Sequence, residues 1–180
     1  MTPLRACCPL PVIAAALLVG NAAAAQGFAS EEEKAVHVAT LSLFHAICLQ
    51  TLPGFEEADE RFAKAGLGLT DDGFWTDDDR GLVARVAHGD NGRQRGCFMG
   101  LRDANLAALD LALGPLVGDA LPGEEVGRMR GPMPGDPSLY IIERDGYRIT
   151  TVAASVSRGY VMLSVGVDVP EGIAPPWGAE

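Results

Sequence analysis

"GLVARVAHGDNGRQRGCFMGL", residues 81–101, decides the fold. Leu82, Ala84 and Val86 alternate with Val83, Arg85 and Ala87 ahead of an Asp90-Asn91-Gly92 turn, and alternation resumes in 93–101. Successive strand residues point to opposite faces, so a period of two on both sides of an Asn-Gly step predicts a β-hairpin. Toward the C-terminus, Asp103 is placed to cap "ANLAALDLALGPL" (104–116), where Leu106, Leu109, Leu113 and Leu116 recur at helical spacing. Residues 118–137, "GDALPGEEVGRMRGPMPGDP", carry so much glycine and proline that a long loop is predicted. In 138–168, Asp145-Gly146 and Arg158-Gly159 separate three β-rich runs, which predicts a three-stranded antiparallel meander. Residues 169–180, "VPEGIAPPWGAE", read as a flexible tail containing Trp177.

On the N-terminal side, Ser30 and Glu33 stand in the S-x-x-E order of a capping box. Val36, Ala39, Leu43, Phe44 and Ile47 follow as a helical stripe with Cys48 at its edge, and Pro53-Gly54 ends it. Phe55, Ala58, Phe62 and Ala65 then share the face of a shorter helix stopped by Gly66, which makes a helical hairpin. Residues 66–79 read as a turn, with aspartates at 71, 72, 77, 78 and 79 around Phe74 and Trp75. The two aromatics are expected to fold back onto the core.

The expected fold class is therefore α+β: a five-stranded antiparallel sheet, hairpin plus meander, with the helical hairpin and one further helix packed on one face. Over residues 30–168 this element order resembles the PAS-like and profilin-like folds. The resemblance is one of order alone and carries no motif, so it implies a fold and no activity.

Residues 1–25, "MTPLRACCPLPVIAAALLVGNAAAA", run from one charge (Arg5) through an apolar stretch to small residues ending at Ala25. That is the pattern of a secretory signal peptide cleaved between Ala25 and Gln26. Its apolar run is shorter than the roughly 18 to 20 residues a bilayer span needs. The expectation is a periplasmic or secreted product, residues 26–180, forming a single domain with no membrane span after cleavage. Its net charge of -10 over the full chain argues against nucleic acid as a partner.

Removal of the leader takes Cys7 and Cys8 with it and leaves Cys48 and Cys97, an even count in an oxidising compartment. A disulfide between them is expected. It would close a loop of about 50 residues and contribute about 4 kcal/mol through the entropy of the unfolded chain. The competing chemistry is a metal site: His45 and Cys48 lie one helical turn apart, and His88 and Cys97 lie on the two strands of the hairpin. Two thiolates with two imidazoles suit zinc or copper, but the spacing fits no compact finger pattern. A reactive Cys48 with His45 as its base would need a free thiol in an oxidising compartment.

Other motifs carry less. From Asp77, a calcium loop of EF-hand type would need glycine at its sixth position; Gly81 falls at the fifth and no glutamate closes the loop. Ser155 and Ser157 lie outside any G-x-S-x-G elbow, and the hairpin glycines precede no phosphate-loop lysine. No cofactor is called for. The segments "FHAICLQTLPGFEEADERFAKAGL" (44–67) and "GCFMGLRDANLAALDLAL" (96–113) resemble small exported proteobacterial proteins of unknown function, a likeness over about residues 35–116. It implies export and paired cysteines, and no catalytic residue.

The functional expectation is a non-enzymatic exported domain binding a small ligand or an envelope protein. The alternative is a hydrolase or metal-dependent enzyme using His45 and His88 with carboxylates from 71–79.

Overall fold

A computed structural model describes residues 30–131, 136–156 and 159–178. The signal peptide expected at 1–25 lies outside the described residues. Helix α1 (Glu31–Phe44) opens with the anticipated cap: the Glu33 amide donates to Ser30 Oγ at 3.0 Å. Three glutamates in its first turn face the positive end of the helix dipole.

The buried stripe of α1 is not the aliphatic one. His37, Thr40 and Phe44 face inward, while Val36 and Val38 are 41% and 53% exposed. Burial of the two polar residues is tolerated because each finds a backbone partner. Thr40 Oγ1 donates to the Val36 carbonyl at 2.9 Å, and His37 Nδ1 lies 2.7 Å from the Glu33 carbonyl. Beyond Phe44 the chain widens into a π-helical turn, His45–Leu49, where the Gln50 amide reaches back five residues to the His45 carbonyl at 3.0 Å. This segment was not anticipated, and it turns Ile47, Cys48 and Leu49 inward together. Helix α2 (Ala58–Lys64) buries Ala58 and Phe62. Arg61 links it back to the π turn by donating to the Ala46 carbonyl at 2.6 Å.

The sheet has eight strands where five were expected: β1 (Gly68–Leu69), β2 (Trp75–Asp77), β3 (Leu82–His88), β4 (Gln94–Arg102), β5 (Gly127–Arg130), β6 (Ser138–Arg144), β7 (Tyr147–Ser155) and β8 (Tyr160–Asp168). Their spatial order is β1-β2-β3-β4-β8-β7-β6-β5, with every neighbouring pair antiparallel. The hairpin and meander expected from the sequence are β3-β4 and β6-β7-β8, joined through β4 and β8. Asp145 and Gly146, both at positive φ, make the two-residue β6-β7 turn. The expected Arg158-Gly159 turn falls partly outside the described residues.

The three additional strands are short. β1 and β2 lie within the segment read as a turn. β5 lies within the segment read as a loop from 118 to 137, whose beginning also extends helix α3 (Leu106–Ala120). Residues 132–135 lie outside the described residues. The cap of α3 is Asn105, not Asp103: Asn105 Oδ1 accepts from the Ala108 amide at 3.2 Å, and Asp103 sits at φ 54°. The Asn105 amide in turn donates to Nε2 of His37 at 2.9 Å, so one buried imidazole couples α1 to the start of α3.

The helices pack on one sheet face. Leu109, Leu113 and Val117 of α3 meet a floor that includes Met99, Ile149, Ala153, Leu163 and Val165. Cys97 lies on that floor, between Val86 and Val165 on the flanking strands. It is disulfide-bonded to Cys48 of the π turn, with Cα atoms 5.4 Å apart and both residues at 0% exposure.

Two arginines organise the periphery, Arg93 just ahead of β4 and Arg95 within it. Arg93 donates to the carbonyls of Val169 and Ile173 at 3.0 and 2.8 Å, and to that of Pro170. Trp177 donates to the Gly92 carbonyl at 3.1 Å, and the Arg95 guanidinium lies 4.9 Å from its ring centre. The tail expected to be flexible is tied to the sheet through these contacts. Arg95 also reaches the Gly54 carbonyl at 2.8 Å, holding the α1-α2 connection.

Candidate functional site

Among the described residues, no helix packs on the opposite face of the sheet. It receives the other half of each alternating strand: Val83, Arg85 and Ala87 from β3, Phe98 from β4, and Met162 from β8. Cross-strand register sets these side by side, since Arg85 faces Phe98 and Val83 faces Gly100, which in turn faces Met162.

Glycines flatten this surface. A Cβ on Gly96 would stand 3.0 Å from the Phe98 ring, and one on Gly100 would stand 2.8 Å from Val83 Cγ1 and closer still to Met162 Sδ. Phe98 and Met162 therefore lie down over their glycine neighbours and present a smooth apolar floor.

The β1-β2 turn raises a wall beside that floor. Its two aromatics part company. Trp75 folds toward the helical layer as expected, with its ring 6.2 Å from Phe62 and its indole N–H donating to Asp59 at 2.7 Å. Phe74 does not. It is 37% exposed on the helix-free side, with the Arg85 guanidinium 5.1 Å from its ring centre. Floor and wall bound an open cleft of about 610 Å³, lined by Phe74, Val83, Arg85, Phe98, Tyr160 and Met162 together with the polar Thr70, Asp72 and Thr76. A second cleft of about 370 Å³ shares Ala87 and Phe98 with the first and continues along the sheet to His88, Gln94, Thr150 and Asp168.

Among the residues proposed from sequence, the structure joins Cys48 and Cys97 and consumes both thiols. The four-ligand set of His45, Cys48, His88 and Cys97 is thereby broken, and among the described residues no three His, Cys, Asp or Glu side chains gather as a metal would require. His45 is on the π turn, 3.5 Å from the Gln50 side chain. His88 is at the far end of β3, opposite Arg95. The 610 Å³ cleft holds Asp72 without a histidine, and the cleft at His88 holds none of the carboxylates of 71–79. The alternative enzyme set is therefore not assembled in either cleft.

The acidic run is partly structural. Asp77 accepts from the Arg80 amide at 2.9 Å and from Arg80 Nε at 2.6 Å, and Arg80 also donates to the Ala65 carbonyl at 3.0 Å. These bonds, the backbone one foremost, hold the Asp77 carboxyl below the usual carboxylate range.

Sequence reasoning missed a polar cluster beneath β5. Ser138, 1% exposed, donates its amide and hydroxyl to the two oxygens of Asp110 at 2.8 and 3.0 Å. Its Oγ accepts from Arg128 at 2.8 Å, and Tyr140 donates to the Asp110 carbonyl at 2.9 Å. The hydroxyl has a carboxylate and a guanidinium as partners and no imidazole base, so the cluster pins β5 and β6 to α3 and does not make a nucleophile. Asp110, the single charge in the apolar run 104–116, was the available signal. Among the described residues no helix is long and apolar enough to cross a membrane. Comparison with models of known protein families finds none that matches this chain, and comparison with curated proteins finds no match either.

Proposed function

We propose that this chain is an exported, non-enzymatic domain that binds a small apolar molecule on the helix-free face of its sheet. The observation that carries the reading is the floor of Val83, Phe98 and Met162, over which no helix of the described residues packs and which with Phe74 lines a cleft of about 610 Å³. Small-molecule sites span roughly 300 to 1,000 Å³, are lined mainly by apolar and aromatic groups, and hold few polar ones. Export is supported by the leader pattern of 1–25, by the resemblance to small exported proteobacterial proteins, and by the fully buried Cys48–Cys97 disulfide, a bond that persists in oxidising compartments. A small occupant is favoured by the volume of about 610 Å³ and by a lining drawn mainly from Phe74, Val83, Phe98, Tyr160 and Met162.

The test is a titration with N-phenyl-1-naphthylamine, a neutral probe whose fluorescence rises in apolar surroundings. Wild-type protein should give saturable enhancement that Phe98→Asp abolishes, with the far-ultraviolet circular dichroism of the variant unchanged. Absence of saturable binding to wild type, or equal binding by Phe98→Asp, would refute the reading. Periplasmic or secreted location is checked by fractionating cells that express the full chain.

A further inference from the structure

Resting on that reading, we infer that the occupant is a carboxylate amphiphile, with its head group held by Arg85 and its apolar body on the Phe98–Met162 floor. Arg85 is exposed and lines the cleft; among the described residues its guanidinium makes no ion pair or side-chain hydrogen bond and lies 5.1 Å from the Phe74 ring centre. A contact with a ring face uses none of the guanidinium's N–H hydrogen bonds, and this fork of donors can take a carboxylate through two parallel hydrogen bonds. Arg102, also near this end of the sheet, differs: it donates to the Tyr160 hydroxyl at 2.9 Å. Thr70 and Thr76 add hydroxyls to the lining of the same cleft.

The charge balance favours a monoanion. One cation, Arg85, faces one carboxylate, Asp72, in the same cleft, and the chain as a whole is at -10. A dianionic phosphate head would meet more repulsion than a single carboxylate, and a cationic head would face Arg85 directly. An apolar body is required as well, since a hydrophilic acid would leave Val83, Phe98 and Met162 in water.

The inference is tested by calorimetric titration of the full protein with decanoate, decan-1-ol, decyl phosphate and decyltrimethylammonium, each below its micelle concentration. Decanoate should bind wild type most tightly. Arg85→Gln should weaken decanoate at least about tenfold while changing decanol by less than about twofold, as expected for a charge-assisted contact made only by the head group. Asp72→Asn should strengthen decanoate. Both residues are exposed, and unchanged thermal melts confirm that the variants are folded. Decanoate binding no tighter than decanol, equal losses for both ligands in Arg85→Gln, or preference for decyl phosphate or the ammonium would overturn the carboxylate assignment and leave the apolar cleft standing. If neither decanol nor decanoate binds wild type, the cleft reading falls with it.

Discussion

Replacing Cys48 and Cys97 together by alanine removes the covalent tie between the π turn and the centre of the sheet. Both residues are at 0% exposure and 49 positions apart, so the bridge closes a loop that spans α2, β1, β2, β3 and the first half of β4. The chain-entropy relation for a loop of this length gives about 4 kcal/mol, against a total stability of about 5 to 15 kcal/mol for a typical domain. For a protein of this size each kcal/mol corresponds to about 2 to 4 °C, so the variant should melt about 8 to 16 °C below the oxidised wild type. Because the stabilisation resides in the unfolded chain, the denaturant slope should also rise, since an uncrosslinked unfolded state exposes more surface. Guanidinium titrations of wild type and Cys48→Ala/Cys97→Ala, followed by circular dichroism, read both quantities. A loss below about 1 kcal/mol with an unchanged slope would refute the view that the bridge holds the helical layer on the sheet.

Asp110→Ala removes the acceptor for both donors of Ser138 and the partner of Arg128, and should cost about 2 to 3 kcal/mol, with amide-exchange protection lost first in β5. Gly100→Ala drives a methyl into Val83 and Met162, and overpacking of this kind costs about 1 to 3 kcal/mol, read from the urea midpoint. Asp77 is lowered in the folded state by its bonds from Arg80, so its contribution is present above the usual carboxylate range and lost as pH falls through it. Asp77→Asn should accordingly flatten the decline in melting temperature between about pH 5 and pH 3, and an unchanged decline would contradict that assignment.

The features legible in the sequence are those fixed by local chemistry. The Ser30 cap, the Asn91-Gly92 and Asp145-Gly146 turns and the alternation of β3 and β4 depend on neighbours within a few residues, and each falls where the pattern placed it. The cysteine pair was legible from the even count that the leader pattern of 1–25 leaves behind. The inward face of α1 was not, because His37 and Thr40 become buriable only through bonds to the Glu33 and Val36 carbonyls. β1, β2 and β5 have two to four residues each, too few for a period to register. They are strands because β3 and β6 offer edges and because Arg128 locks into Ser138 and Asp110. The cleft was half legible: Val83 and Phe98 alternate outward as the pattern requires, but Phe74 was assigned to the core with Trp75. Successive residues of extended chain point to opposite faces, so with Trp75 opening β2 toward the helical layer, Phe74 just ahead of it goes to the other side.

Two methionines on opposite faces of the same sheet give the most direct measurement. Met99, 0% exposed, points into the helical core, whereas Met162 lies on the open floor across Gly100. With methyl-labelled methionine, titration of decan-1-ol should shift the Met162 methyl resonance in a saturable manner, leave Met99 in place, and leave Met129 on the remote edge strand β5 unchanged. A shift at Met99 with Met162 still, or no saturable shift at any of the three, would contradict binding on the helix-free face.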